Sequence, residues 1–140
     1  MQAVLLLDFD PKSRLGWLNA LRDMVPIEVV QRGELPVRRV RSTRPGMVLL
    51  SVSRGRLQET LRWSRVIKTD SAEPPPVGLF DPQGRIRDAN RAMEIAMADG
   101  VLRGAAEIEA RQQFITDLMS GSRGLVVDYP VAGWRRLLKR

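Results

Sequence analysis

Short, unbroken apolar runs constrain this chain more than any other feature. Ala3 to Leu7 is closed by Asp8, Met47 to Leu50 continues through Ser51 to Val52, and Val77 to Phe80 is closed by Asp81. Runs of four or five apolar residues bounded by turn-forming residues are too short for buried helices and suit strands covered on both faces, as in a parallel sheet. Helical patterns separate them. Asp10-Pro11 supplies a capping carboxylate and a proline at the first helical position, and Leu15, Leu18, Leu21 and Val25 follow at helical spacing, predicting a helix from Pro11 to Met24. Ile27 to Val30 is a β-branched run of strand type, Leu35 to Ser42 a short helix turning Val37 and Val40 inward, and Leu57, Leu61 and Ile67 mark a third helix. The proline-rich stretch Thr69 to Pro76 stops that helix and feeds the run at Val77. A turn at Asp81-Pro82-Gln83-Gly84, a helix over Ala89 to Ala98, a minimal strand at Val101-Leu102 and a helix over Ala105 to Met119 complete the pattern.

Five alternations of strand and helix predict an α/β domain over residues 1–121: a five-stranded parallel sheet flanked by helices in a three-layer sandwich, joined by right-handed crossovers. Any site belongs at the carboxyl ends of the strands. Residues 122–140 form a short C-terminal extension, read either as an added edge strand at Leu125-Val126-Val127 followed by a basic amphipathic segment or as the start of a linker to a further domain. Trp134, Arg135, Arg136, Leu137 and Leu138 read as a basic amphipathic segment that binds a partner or docks on its own domain.

Composition narrows the chemistry. The chain has no cysteine and no histidine, which removes disulfide frameworks, the usual zinc sites, thiol nucleophiles and imidazole catalysis. Ser51, Ser53 and Ser64 have no base in a recognised motif, and the glycines fall singly at turns rather than in a phosphate-binding loop. The expectation is a protein that is not an enzyme, with no cofactor and no metal. MQAVLLLDFD has no basic segment before its apolar run and is too short to span a membrane, so no membrane partner and a cytoplasmic location are expected. The net charge of +7 is concentrated between Arg32 and Lys68, where Arg38, Arg39, Arg41, Arg44, Arg54, Arg56, Arg62 and Arg65 also lie against only Glu34 and Glu59. This stretch makes DNA or other nucleic acid an alternative partner, though no groove-reading helix-turn-helix pattern accompanies it.

Four stretches, VLLLDFDP, RPGMVLLSVSRG, PPVGLFDP and ADGVLRG, resemble in order and spacing the receiver domain of bacterial response regulators over roughly the first 120 residues. The resemblance implies a site in which two acids after the first strand hold Mg²⁺, an aspartate ending the third strand accepts phosphate, a hydroxyl ends the fourth and a lysine ends the fifth. Asp8 matches the first acid, but Phe9 stands at the second and Asp10 is displaced to the helix cap. Ser51 stands at the phospho-acceptor, Asp81 at the hydroxyl, and Arg103 or Gly104 at the lysine, while Val101 takes the place of the aromatic switch residue. A serine cannot form the acyl phosphate, and Asp81 adds negative charge where a phosphoryl group would sit.

The resemblance therefore implies a degenerate, phosphorylation-independent pseudo-receiver that acts by association in signal transduction or transcription control. The expected partners are a second copy, through the fourth and fifth helices and the strand between them, and a further protein that the sequence does not identify. Within the pocket the expectation is polar strand ends satisfied by one another; the sharper alternative is a pocket frozen in one state, with Arg103 pairing Asp8 or Asp81. A competing resemblance, of VGLFDPQGRIRDANRAM to the opening of a PAS sensor domain, implies a small-ligand-sensing module instead.

Overall fold

The three apolar runs become neighbouring central strands of one parallel sheet. The computed structural model describes residues 2–52 and 55–131. Among them, strands and helices alternate as β1 (Val4–Leu7), α1 (Pro11–Leu21), β2 (Ile27–Val29), α2 (Pro36–Thr43), β3 (Met47–Ser51), α3 (Leu57–Asp70), β4 (Val77–Asp81), α4 (Ala89–Ala96), β5 (Gly100–Arg103), α5 (Ile108–Met119) and β6 (Leu125–Asp128). The order across the sheet is β2-β1-β3-β4-β5-β6, and every pairing is parallel. The expectation of five strands is corrected to six, because Leu125 to Asp128 pairs along the whole of β5. The stretch offered as a PAS opening supplies β4, its turn and α4 of this same sheet.

Successive residues of a strand point to opposite faces, and the core divides accordingly. Val4, Leu6, Met47, Leu49, Phe80 and Leu102 pack with Trp17 and Leu21 of α1 and with Phe114, Ile115 and Leu118 of α5. Leu5, Leu7, Val48, Leu50, Leu79 and Val101 pack on the other face with Leu61 and Ile67 of α3 and with Ala92, Met93 and Ala96 of α4. The α1 cap forms as its sequence dictates, with Asp10 accepting the amides of Lys12 and Ser13. Helix α4 stops at Met97, whose left-handed backbone (φ 55°) returns its amide to Glu94 and Met93.

Gly78 and Gly100 lie opposite each other in the ladder between β4 and β5. A Cβ on Gly78 would sit 2.9 Å from both Phe114 and Leu118, and one on Gly100 3.1 Å from the same two side chains. These glycines form the hollow that receives α5. They also account for a departure from the expected handedness. Helix α1 shares its face with α5, yet α1 steps from β1 to β2 while α5 steps from β5 to β6 in the opposite direction along the sheet. The β5–α5–β6 crossover thus has the opposite hand to β1–α1–β2, and also to the connections through α2, α3 and α4, which step the same way as α5 but over the other face. Since right-handed crossovers prevail at about 98%, the last unit is the left-handed one. Burial of Phe114, Ile115 and Leu118 against Trp17 and the glycine hollow holds α5 on this face against the twist preference of the sheet.

Candidate functional site at the carboxyl end of the sheet

Asp8 follows β1 directly and lies beside Ser51, the last residue of β3, since Leu7 pairs with Leu50. It is 1% exposed. Its carboxylate is engaged from α1: Ser13 Oγ donates to Oδ2 and the Asp10 amide donates to Oδ1 at 3.1 Å. Burial pushes the Asp8 carboxyl above its ordinary value, while hydrogen bonds from Ser13, the Asp10 amide and Ser51 pull it back and the neighbouring charge of Asp10 adds to the rise. Phe9 leaves this cluster, packs partly on the α3–α4 side of the core, and carries the Arg32 guanidinium 5.4 Å above its ring. Asp10 faces the helix start rather than a metal site.

Asp81 ends β4 fully buried. Both its oxygens are taken by the loop that follows, from the Arg85 amide at 2.9 Å and the Ile86 amide at 2.6 Å. Asp8 is thus bonded from the start of α1, with Ser51 only adding to the pull that lowers its pKa, rather than the polar strand ends simply satisfying one another as expected. Asp81 instead ties down its own loop, because the turn at Gly84 (φ 68°) aims two consecutive amides back at it.

Arg103 does not pair Asp8 or Asp81 by a hydrogen bond. It forms a two-bond pair with Asp128, its register neighbour on β6, and its Nη1 donates to the carbonyls of Ile86 at 3.0 Å and Arg87 at 3.1 Å. The Asp128 hydrogen bond holds the Arg103 guanidinium above its ordinary value, and Arg103 holds Asp128 below the usual carboxylate range. Gly104 follows with φ 91°, and a Cβ there would lie 1.9 Å from the carbonyl oxygen of Tyr129. Only glycine fits. The segment Asp128 to Val131 crosses above it as a strap: the Tyr129 amide donates to Arg103 O at 2.8 Å, the Ala105 amide donates to Pro130 O at 2.9 Å, and Val131 reaches Gly84. Helix α5 starts at Ile108 rather than Ala105, and the Ala105 amide ahead of it donates to the strap at Pro130.

Sequence reasoning missed Arg111. From the first turn of α5 its guanidinium lies between the rings of Trp17 and Phe80, 4.9 Å from each centroid, with its Nη1 against Gly16 of α1. Burial lowers its pKa and the charge of Asp8 opposes that shift. A glycine in the middle of α1, where alanine would be about 1 kcal/mol better, was the visible trace of this close approach. Of the proposed binding segment, Trp134, Arg135, Arg136, Leu137 and Leu138 lie outside the described residues, as do Ser53 and Arg54. Four of the ten basic residues from Arg32 to Lys68 are held in ion pairs among the described residues: Arg39 with Glu28 and Glu34, Arg41 with Asp70, Arg56 with Glu59, and Lys68 with Asp99. No group of three metal-ligating side chains occurs among the described residues. No helix among them is long and apolar enough to cross a membrane.

No family model and no curated protein matches the sequence. Solved structures do match. The N-terminal signal receiver domain of a two-component response regulator from Bacteroides fragilis superposes with a TM-score of 0.73 at 17% identity, covering 86% of this chain and 98% of that one. A response-regulator signal receiver domain from Bermanella marisrubri gives 0.67 at 21% identity, covering 83% and 96%. A LuxR-family two-component response regulator from Aurantimonas gives 0.68 at 17% identity, covering 100% and 99%. The chain has the receiver-domain fold. In that fold Asp8, Ser51, Asp81 and Arg103 with Gly104 stand together at the carboxyl ends of β1, β3, β4 and β5.

Proposed function

We propose that this chain is a phosphorylation-independent receiver-type module of bacterial signal transduction that works by binding protein, beginning with a second copy of itself. The strap over Gly104 carries this reading. Of the two residues that stand where the resemblance calls for a lysine, Arg103 is turned to Asp128 and Gly104 has no side chain, the backbone of Tyr129 filling the space one would need. The remaining polar groups are committed internally, Asp8 to the start of α1 and Asp81 to the β4–α4 loop. Phosphoryl transfer depends on positioned cations around an activated acceptor. Here the acceptor is a serine, the nearby cation Arg103 is clamped to Asp128, and the loop that would respond is already fastened to Asp81. The response-regulator neighbours support the signalling context. Incubation with a small phosphodonor and Mg²⁺ followed by intact-mass measurement is expected to show no added phosphoryl group; labelling of Ser51 or of any aspartate would overturn the proposal.

A further inference from the structure

We infer that the outer edge of β6 is the surface on which two copies of this chain pair, antiparallel and about a two-fold axis through Val126. The inference deepens the self-association reading above and rests on it. With β6 laid along β5, the strand between α4 and α5 is no longer a sheet edge, and among the described residues β6 takes over that role. The amides of Leu125 and Tyr129 are spent on Asp99 and Arg103, so the alternate residues Gly124, Val126 and Asp128 turn their N–H and C=O groups away from the sheet.

This outward set is symmetric about Val126. Antiparallel pairing about a two-fold axis there places Val126 opposite Val126 of the second copy and Gly124 opposite its Asp128. Beyond Asp128 the chain leaves the edge, since Pro130 has no N–H and its carbonyl accepts from the Ala105 amide. On the α1–α5 face Leu125 then meets Val127 of the second copy. Leu125, Val126 and Val127 are only half-buried in the single chain. The charges at the two ends of the strand are balanced within the chain, Asp128 by Arg103 and Arg123 by Asp99, so they do not oppose the approach of a second copy. The opposite edge is guarded. There β2 has three residues, and Glu28 at its centre is held in an ion pair with Arg39.

The test is the solution mass of the full chain by light scattering over a concentration series, for the wild type, for Val126→Pro and for two single-cysteine variants. Val126→Pro removes an outward N–H without removing a bond to β5. The chain has no cysteine of its own, so Val126→Cys reports on the axis directly. Directly opposed residues of a hydrogen-bonded antiparallel pair lie about 5.5 Å apart at Cα, within disulfide reach. We expect the wild type to reach twice its 15.8 kDa mass, Val126→Pro to stay monomeric, and Val126→Cys to form a disulfide-linked dimer under mild oxidation far faster than Gln83→Cys. A wild type that is monomeric at every concentration overturns the self-association reading and this inference with it. A dimer whose Val126→Cys variant cross-links no faster than the control overturns the β6 edge alone, and that variant decides the matter even where Val126→Pro fails to fold.

Discussion

A methyl group at Gly104 would collide with the Tyr129 carbonyl and force a left-handed backbone on an L-residue. We expect Gly104→Ala to lose about 3 kcal/mol of stability in a denaturant melt, well above an ordinary surface substitution. A neutral variant would mean that the strap does not lie where it is described. Asp8 carries a second prediction. Its folded pKa is raised by burial, so its ionisation works against the fold, and its contribution is most favourable below the ordinary carboxylate range and is lost as pH rises through the folded value. Asp8→Asn keeps an acceptor for the Asp10 amide and is expected to raise the melting temperature at neutral pH, with the advantage shrinking toward pH 4; a fall at neutral pH would show that the carboxylate charge itself is needed. The places of Asp8, Ser51 and Asp81 were legible, because each closes an apolar run and strand ends in a parallel sheet converge. The partners of Arg103 and Arg111 were not, since they depend on contacts between residues far apart in sequence: Asp128 lies 25 positions beyond Arg103, and Trp17 nearly a hundred before Arg111.

Among the elements, β6 depends on two supports, the ladder to β5 and the Arg103 clamp. Arg103→Ala removes the pair with Asp128 together with two bonds to the β4–α4 loop. Asp128 is more than half exposed, so we expect a global cost of about 1 kcal/mol or less. Hydrogen exchange should be faster at Val127 and Tyr129 while β1, β3 and β4 keep their protection; uniform change across the sheet would contradict a local clamp. Because Asp128 is held below its ordinary value, the clamp is intact at neutral pH and is lost as pH falls through that lowered value. Helix α5 gives the complementary test. Gly78→Ala puts a methyl group within 2.9 Å of Phe114 and Leu118 and is expected to cost about 1–3 kcal/mol. The helices and strands were readable from apolar spacing, with boundaries within a few residues. The hand of the last crossover was not, because it is decided by two glycines that become neighbours only once β4 and β5 are in register.

For the whole molecule, the sheet, the loops and the strap together describe a receiver fold in which the segment after β6 crosses the carboxyl end of β5 and reaches the β4–α4 loop. The layer architecture followed from the alternation of elements alone. The sixth strand's effect on the rest, covering β5 and fastening the β4–α4 loop through Arg103, required the folded arrangement. The central claim is that this end of the molecule does not respond to phosphoryl chemistry. The most direct measurement is the amide NMR spectrum recorded before and after addition of Mg²⁺ with beryllofluoride, a phosphoryl mimic. The account predicts unmoved resonances for Ser51, Val52, Gly84, Ile86, Gly104 and Tyr129. Saturable shifts at these amides would contradict it and would mean that the pocket still binds and answers to a phosphoryl group.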